Sequence, residues 1–221
     1  MARLPRLVLP DHAHCVIQRG HGDRPVFADA ADRAAYVAAL REAAAAEGVR
    51  VHAWALLDSE VRLLATPPDA AALGRSMQAV GRRYVSAYNR RHGRSGTLWD
   101  GRFRCAVVEP GEMRLAVLRW IDGAASQPGV TTASQRLGGT RDGLVFDPPE
   151  VWALGNTPFE REAAYGALLD EGLPAGLAAE IRQRSLGGWA LGSPRFLSWI
   201  GAQVERPAQP RAPGRPRRAV A

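Results

Sequence analysis

The chain predicts an α+β fold: a ferredoxin-like antiparallel sheet with packed helices, followed by a small helical C-terminal appendage and a basic tail. Three observations carry this expectation. Residues 1–130 run strand, helix, strand, strand, helix, strand, helix, the succession of a split βαβ unit. The two middle strands are separated only by Asp58-Ser59, a turn that joins antiparallel neighbours. With 46% hydrophobic and 23% charged residues over 221 positions, the chain can bury a core.

Taken in order, His14 to Gln18 reads as a first strand, closed by the turn-rich Arg19-Gly-His-Gly-Asp-Arg24. Asp29 can cap an Ala-rich helix from Ala30 to Glu47, with Tyr36, Val37 and Leu40 as its apolar stripe and Gly48 as its end. Val49 to Leu57 and Val61 to Ala65 form the hairpin, and Pro67-Pro68 closes it. A second helix from Ala70 to Arg91 spaces Leu73, Met77, Val80, Tyr84 and Tyr88 at three or four residues, leaving Arg75, Arg82, Arg83, Arg90 and Arg91 on its other faces. The latter half of Thr97 to Val108 is a fourth strand, and a third helix follows Pro110 from Gly111 to Ala125.

Residues 1–130 are therefore expected to form the main domain. Residues 131–155, rich in Gly, Thr, Asp and Pro, read as a connector. Residues 156–205 read as a helical extension, with helices at Pro158–Leu169, Leu177–Arg184 and Pro194–Val204. Residues 206–221 hold five arginines, four prolines and no acid, which predicts a disordered basic tail.

The net charge of +7 rests on arginine alone, for the chain contains no lysine. Arginine pairs bidentately with phosphate and stacks on bases, so the sign of the charge points to nucleic acid, while the absence of lysine reflects codon usage. Cys15 and Cys105 are too few for a disulfide scaffold and lie in apolar runs, which suits buried thiols in a reducing cytoplasm. The first ten residues lack the apolar core of a signal peptide and no run approaches membrane-spanning length. A cytoplasmic protein without a membrane partner is the expectation.

Ile17-Gln-Arg-Gly20, the Ala53 to Thr66 hairpin, Gly81-Arg-Arg-Tyr-Val85 with Tyr88-Asn-Arg-Arg91, and Gly96-Thr-Leu-Trp-Asp-Gly-Arg-Phe103 together resemble the REP-associated tyrosine transposases. These are single-tyrosine members of the His-hydrophobic-His superfamily. The resemblance spans most of residues 1–130, and Gly187 to Phe196 with Gly214-Arg-Pro-Arg217 is similar to the extension of longer members. It implies binding of a single-stranded DNA hairpin, attack by a helix tyrosine, and a divalent Mg or Mn ion that polarises the scissile phosphate. It leaves a homodimer or a monomer open.

Matched residue by residue, that chemistry is missing. Glu60 and Arg62 stand at the two histidine positions, sharing one face of a strand, and a guanidinium repels a cation. Trp120-Ile-Asp-Gly-Ala-Ala125 matches the nucleophile pattern Tyr-Ile-Glu-x-Asn-Pro, so Trp120 lacks the attacking hydroxyl and Ala124 replaces the Asn. The site is expected to be degenerate, with no catalytic residue, metal ligand or cofactor. Tyr84 and Tyr88 are substitute nucleophiles in principle, although their spacing favours packing or base stacking. His12, His14 and His52 read as structural or solvated.

What remains predicts DNA binding by Arg19, Arg82, Arg83, Arg90, Arg91, Arg94, Arg102 and Arg104, with Tyr88 and Trp99 as stacking partners. For Tyr84, Trp99 and Phe103 core packing stands evenly against stacking. In the tail, Arg215 and Arg217 lie in a short segment that resembles an AT-hook core and add phosphate contacts. Two other readings stay open: an active transposase or single-strand endonuclease using different residues, and a protein-interaction module whose charge only keeps it soluble.

Overall fold

The computed structural model describes residues 5–125, 130–204 and 207–210. Strands β1 (His14–Arg19), β2 (Arg50–Leu57), β3 (Glu60–Thr66) and β4 (Arg104–Val107) form one sheet in the order β2-β3-β1-β4, with every pair antiparallel. Helices α1 (Ala30–Ala46) and α2 (Ala72–Arg91) make the two crossovers and pack together over one face. The α+β, ferredoxin-like architecture is thus present.

Local chemistry sets the boundaries. The Asp29 carboxylate accepts from the Asp32 amide at 3.1 Å and starts α1, while Gly48 ends it at φ 63°. Helix α2 begins two residues after the position that its pattern suggested, because Asp69 accepts from the amides of Ala71 and Ala72, both at 2.8 Å. Helix α3 (Glu112–Asp122) follows Gly111, whose φ of 89° turns the chain off the sheet.

Alternation along the strands divides the interior in two. Val16, Trp54, Leu56, Val61 and Leu63 face α1 and α2, where they meet Tyr36 and Tyr84. Cys15, Ile17, Ala53, Ala55 and Leu64 face the other way, beneath Val117, Leu118 and Ile121 of α3. Each fully buried leucine or isoleucine contributes about 1.5–3 kcal/mol. Burial pushes the Cys15 thiol up to about 12, so it stays protonated and unreactive.

The second face is completed by the C-terminal half. Two short helices, α4 (Ala133–Arg136) and α5 (Pro149–Trp152), lie within residues 131–155, and α6 (Pro158–Glu171), α7 (Ala175–Gly187) and α8 (Pro194–Gln203) follow. Thr157 and Glu160 form a capping box that starts α6, and α7 packs on β4 and β1. The stretch 131–155 is also stitched to β2 by bridges from Thr131 to Ala55 and from Val145 to Val51. At its centre Arg136, 1% exposed, binds Asp122 at 2.7 Å and Asp147 at 2.8 Å and donates to the His52 carbonyl. The Tyr165 hydroxyl donates to Asp122 at 2.7 Å. These groups satisfy one another, as burial of charge requires.

The buried histidines are structural. His14 donates from Nδ1 to the His12 carbonyl and accepts the Leu9 amide on Nε2. His52 lies between the Phe146 carbonyl and the Thr66 hydroxyl. Burial pushes both pKa values down to about 4, so both are neutral at pH 7.

Candidate nucleic-acid interface

Helix α2 is fixed by its apolar stripe, and that orientation decides where its arginines point. Arg82, Arg83, Arg90 and Arg91 are all exposed, but they are not equivalent. Arg91 binds Asp29 at 2.6 Å and reaches the buried Asp32 carboxylate, tying α2 to the start of α1. Arg83 pairs with Glu42 at 3.0 Å. Among the described residues Arg82 and Arg90 have no acidic partner, and neither do Arg102 and Arg104 beyond the loop. Arg94 lies 5.7 Å from the centre of the Tyr88 ring.

The loop after α2 returns to the end of β1. Trp99 bridges to Gly20, the Asp100 amide donates to the Arg19 carbonyl at 2.8 Å, and the His21 amide donates to the Leu98 carbonyl at 3.0 Å. A side chain at Gly20 would collide with the Arg24 carbonyl, which explains the glycine there. Between this loop and α2 opens a cleft of about 830 Å³, lined by Arg6, Gln18, Met77, Arg82, Trp99 and Arg102, among others. A smaller hollow of about 240 Å³, lined by Arg19, Asp100, Arg102 and Arg104, lies beside it, so Arg102 borders both.

Electrostatics favour an anion here. Burial lowers the Arg6 pKa, and the charges of Arg102 and Arg104 act in the same direction. Arg6 also lies 3.8 Å from the centre of the Phe103 ring. Arg19 is more committed, with Asp100 at 3.6 Å and Asp23 at 3.9 Å.

The aromatic candidates are mostly interior. Tyr84 donates its hydroxyl to the Val26 carbonyl, and burial raises its pKa far above that of free tyrosine, which unsuits it as a nucleophile. Tyr88 and Trp99 are each 7% exposed, with Tyr88 against His92 and Trp99 on the edge of the cleft.

On the opposite face the three positions matched to the catalytic pattern do come together. Strand register puts Glu60 beside Arg19 and Arg62 beside Ile17. The Arg62 guanidinium lies 3.9 Å from the centre of the Trp120 ring and donates to Glu60 at 2.8 Å. Arg182 of α7 donates to the same Glu60 oxygen at 2.8 Å. Burial alone raises the Glu60 pKa, but hydrogen bonds from Arg182 and Arg62 outweigh it and hold the carboxylate below its ordinary range. A divalent cation does not fit this arrangement. The single carboxylate is already shared by two guanidiniums, whose charge exceeds its own and repels a further cation, and the remaining neighbour is an indole.

Sequence reasoning missed Arg182, Gln18 and Arg6. Arg182 belongs to a helix without a strong apolar stripe, and nothing in a single sequence links it to Glu60. Arg215 and Arg217, with the rest of the expected tail motif, lie outside the described residues.

No helix among the described residues is long and apolar enough to cross a membrane. No known family model matches the chain, and no curated protein matches it in sequence. Solved structures to which the chain is similar include the following two. One, a REP-associated tyrosine transposase bound to a REP hairpin, shares 12% identity over 55% of this chain and 70% of its own, with a TM-score of 0.45. The other, a candidate transposase from Deinococcus radiodurans R1, shares 19% identity over 57% of this chain and 100% of its own, with a TM-score of 0.38.

Proposed function

We propose that the protein binds single-stranded or hairpin DNA through α2 and the loop after it, and that it does so without metal-dependent strand cleavage. The observation that carries the reading is the set of exposed arginines without acidic partners: Arg82 and Arg102 line the cleft with Trp99, Arg104 lines the hollow beside it, and Arg90 stands exposed further along α2. Unpaired guanidiniums gain from phosphate contact what a paired one has already gained within the fold. Inactivity is supported by the Glu60–Arg62–Trp120 cluster, which offers neither a cation grip nor a phenol. Residues 1–130 would supply the binding surface and the helical extension would buttress its reverse side. The soluble, cytoplasmic setting expected from composition belongs to the same proposal.

The test is binding of a labelled hairpin and a random duplex at several salt concentrations, with and without magnesium or manganese. Preference for the hairpin, a metal-independent affinity, and a salt slope that falls by about one for each phosphate-binding arginine removed are expected. A covalent protein–DNA adduct lost on substitution of one tyrosine would overturn the inactive reading. Equal, weak affinity for both probes would overturn the binding one.

A further inference from the structure

Two polar atoms at the cleft beside α2 are buried without partners. The Oε1 atom of Gln18 and the indole Nε1 of Trp99 make no hydrogen bond, although each residue is 7% exposed. Both residues line the same cleft. Buried polar groups are nearly always paired, so an acceptor and a donor left unpaired on residues that line one cleft point to a partner that brings its own donor and acceptor. Phosphate cannot be that partner, because it offers only acceptors and leaves Gln18 Oε1 unsatisfied. The Watson–Crick edge of an unpaired base carries both kinds of group, whereas in a duplex that edge is occupied.

The walls suit a flat ring. Met77, Val85 and Phe103 line the cleft, with the Arg6 guanidinium resting on the Phe103 ring. Gly74 and Gly81 of α2 also line it, and a Cβ at either would meet nothing within 4 Å. Internal packing therefore does not require these glycines, and each weakens a helix relative to alanine; together they keep the cleft wide. The bridge from Trp99 to Gly20 holds the indole in place before any ligand arrives. Arg82 and Arg102 stand at the same cleft, where the phosphates flanking a base would lie.

We propose that this cleft takes one unpaired nucleobase of the bound strand, read by Gln18 and the Trp99 indole N–H, with Arg82 and Arg102 on the adjoining phosphates. The proposal rests on the single-strand binding reading above and adds to it a position at which base identity matters.

The experiment uses the full chain and a hairpin with a single-stranded 5′ overhang, followed by fluorescence anisotropy. In a series of probes each overhang nucleotide in turn is made abasic. One abasic position is expected to weaken binding about tenfold, the scale of one lost stacked and hydrogen-bonded base. G81L fills the cleft from a helix position with open space, and Q18L removes the unpaired acceptor. Both should bind the intact probe about tenfold more weakly, bind the abasic probe like the unmodified protein, and keep the salt slope. W99F, which removes the N–H together with the five-membered ring but keeps an aromatic face, should flatten discrimination among the four bases at that position. Uniform affinity across the abasic series, or equal losses for intact and abasic probes in both variants, overturns the base pocket while leaving DNA binding in place. Absence of affinity for every probe overturns both readings together.

Discussion

Beside α2, Arg82 and Arg102 line an open cleft, exposed and without acidic partners, whereas beneath α3 and α7 Arg62 and Arg182 both close on Glu60. The two regions share one sheet and the same cationic side chain, yet only in the second do these arginines find a carboxylate within the fold. An arginine satisfied within the fold adds to stability and has little left for a ligand. An unsatisfied one adds little to stability and keeps its charge for contact with phosphate. Substitutions in the two regions should therefore separate into those that change unfolding and those that change DNA affinity.

The largest effect is expected deep behind the closed region. R136A leaves Asp122 buried without its counter-charge and Asp147 with only the exposed Arg141, and should lower unfolding stability by about 3–5 kcal/mol in a denaturant titration, with hairpin affinity of the remaining folded protein unchanged. A loss under about 1 kcal/mol would mean that solvent reaches these carboxylates.

Acid comes next. His14 and His52 are neutral in the fold, with pKa values near 4 against about 6.5 in the unfolded chain. The unfolded state therefore binds more protons between those values. Stability contributed by the neutral rings is complete above pH 6.5 and is lost as pH falls toward 4, on the order of 3 kcal/mol for each. Thermal unfolding across that window checks it, and a flat profile would show that neither ring is held neutral.

E60A should cost about 1–3 kcal/mol, since it leaves the poorly exposed Arg62 unpaired beside Trp120. R182A should cost less than about 1 kcal/mol because that side chain is nearer solvent. Neither should alter the salt slope of DNA binding; a steeper slope in E60A would show that freed arginines can join the interface. The smallest contrast lies within α2. R82A should flatten the slope by about one, whereas R83A, paired with Glu42, should flatten it less.

Much of this architecture was legible in the chain. The steps of three and four from Leu73 to Tyr88 placed α2 and its arginine faces, Asp29 and Gly48 bounded α1, the Asp58-Ser59 turn marked the hairpin, and the two-residue period of the strand put Glu60 and Arg62 on one face. Residues 131–155 were harder to read, because α4 and α5 are four residues each, too short to show a period. Their packing depends on Arg136, a residue type that suggests solvent until its distant acids are known. Gln18 and Arg182 escaped for a related reason. The importance of each comes from what lies across space from it, and one sequence does not register that.

The Arg136 cluster has a consequence for how the protein is made. Asp122 is synthesised ahead of both Arg136 and Asp147, so a nascent chain that has delivered the sheet and α3 carries a carboxylate with no cation to meet it. Closure of that side is expected to wait until the ribosome has released the stretch through Asp147. Stalled chains ending before and after that residue, compared for protease resistance, would reveal the delay.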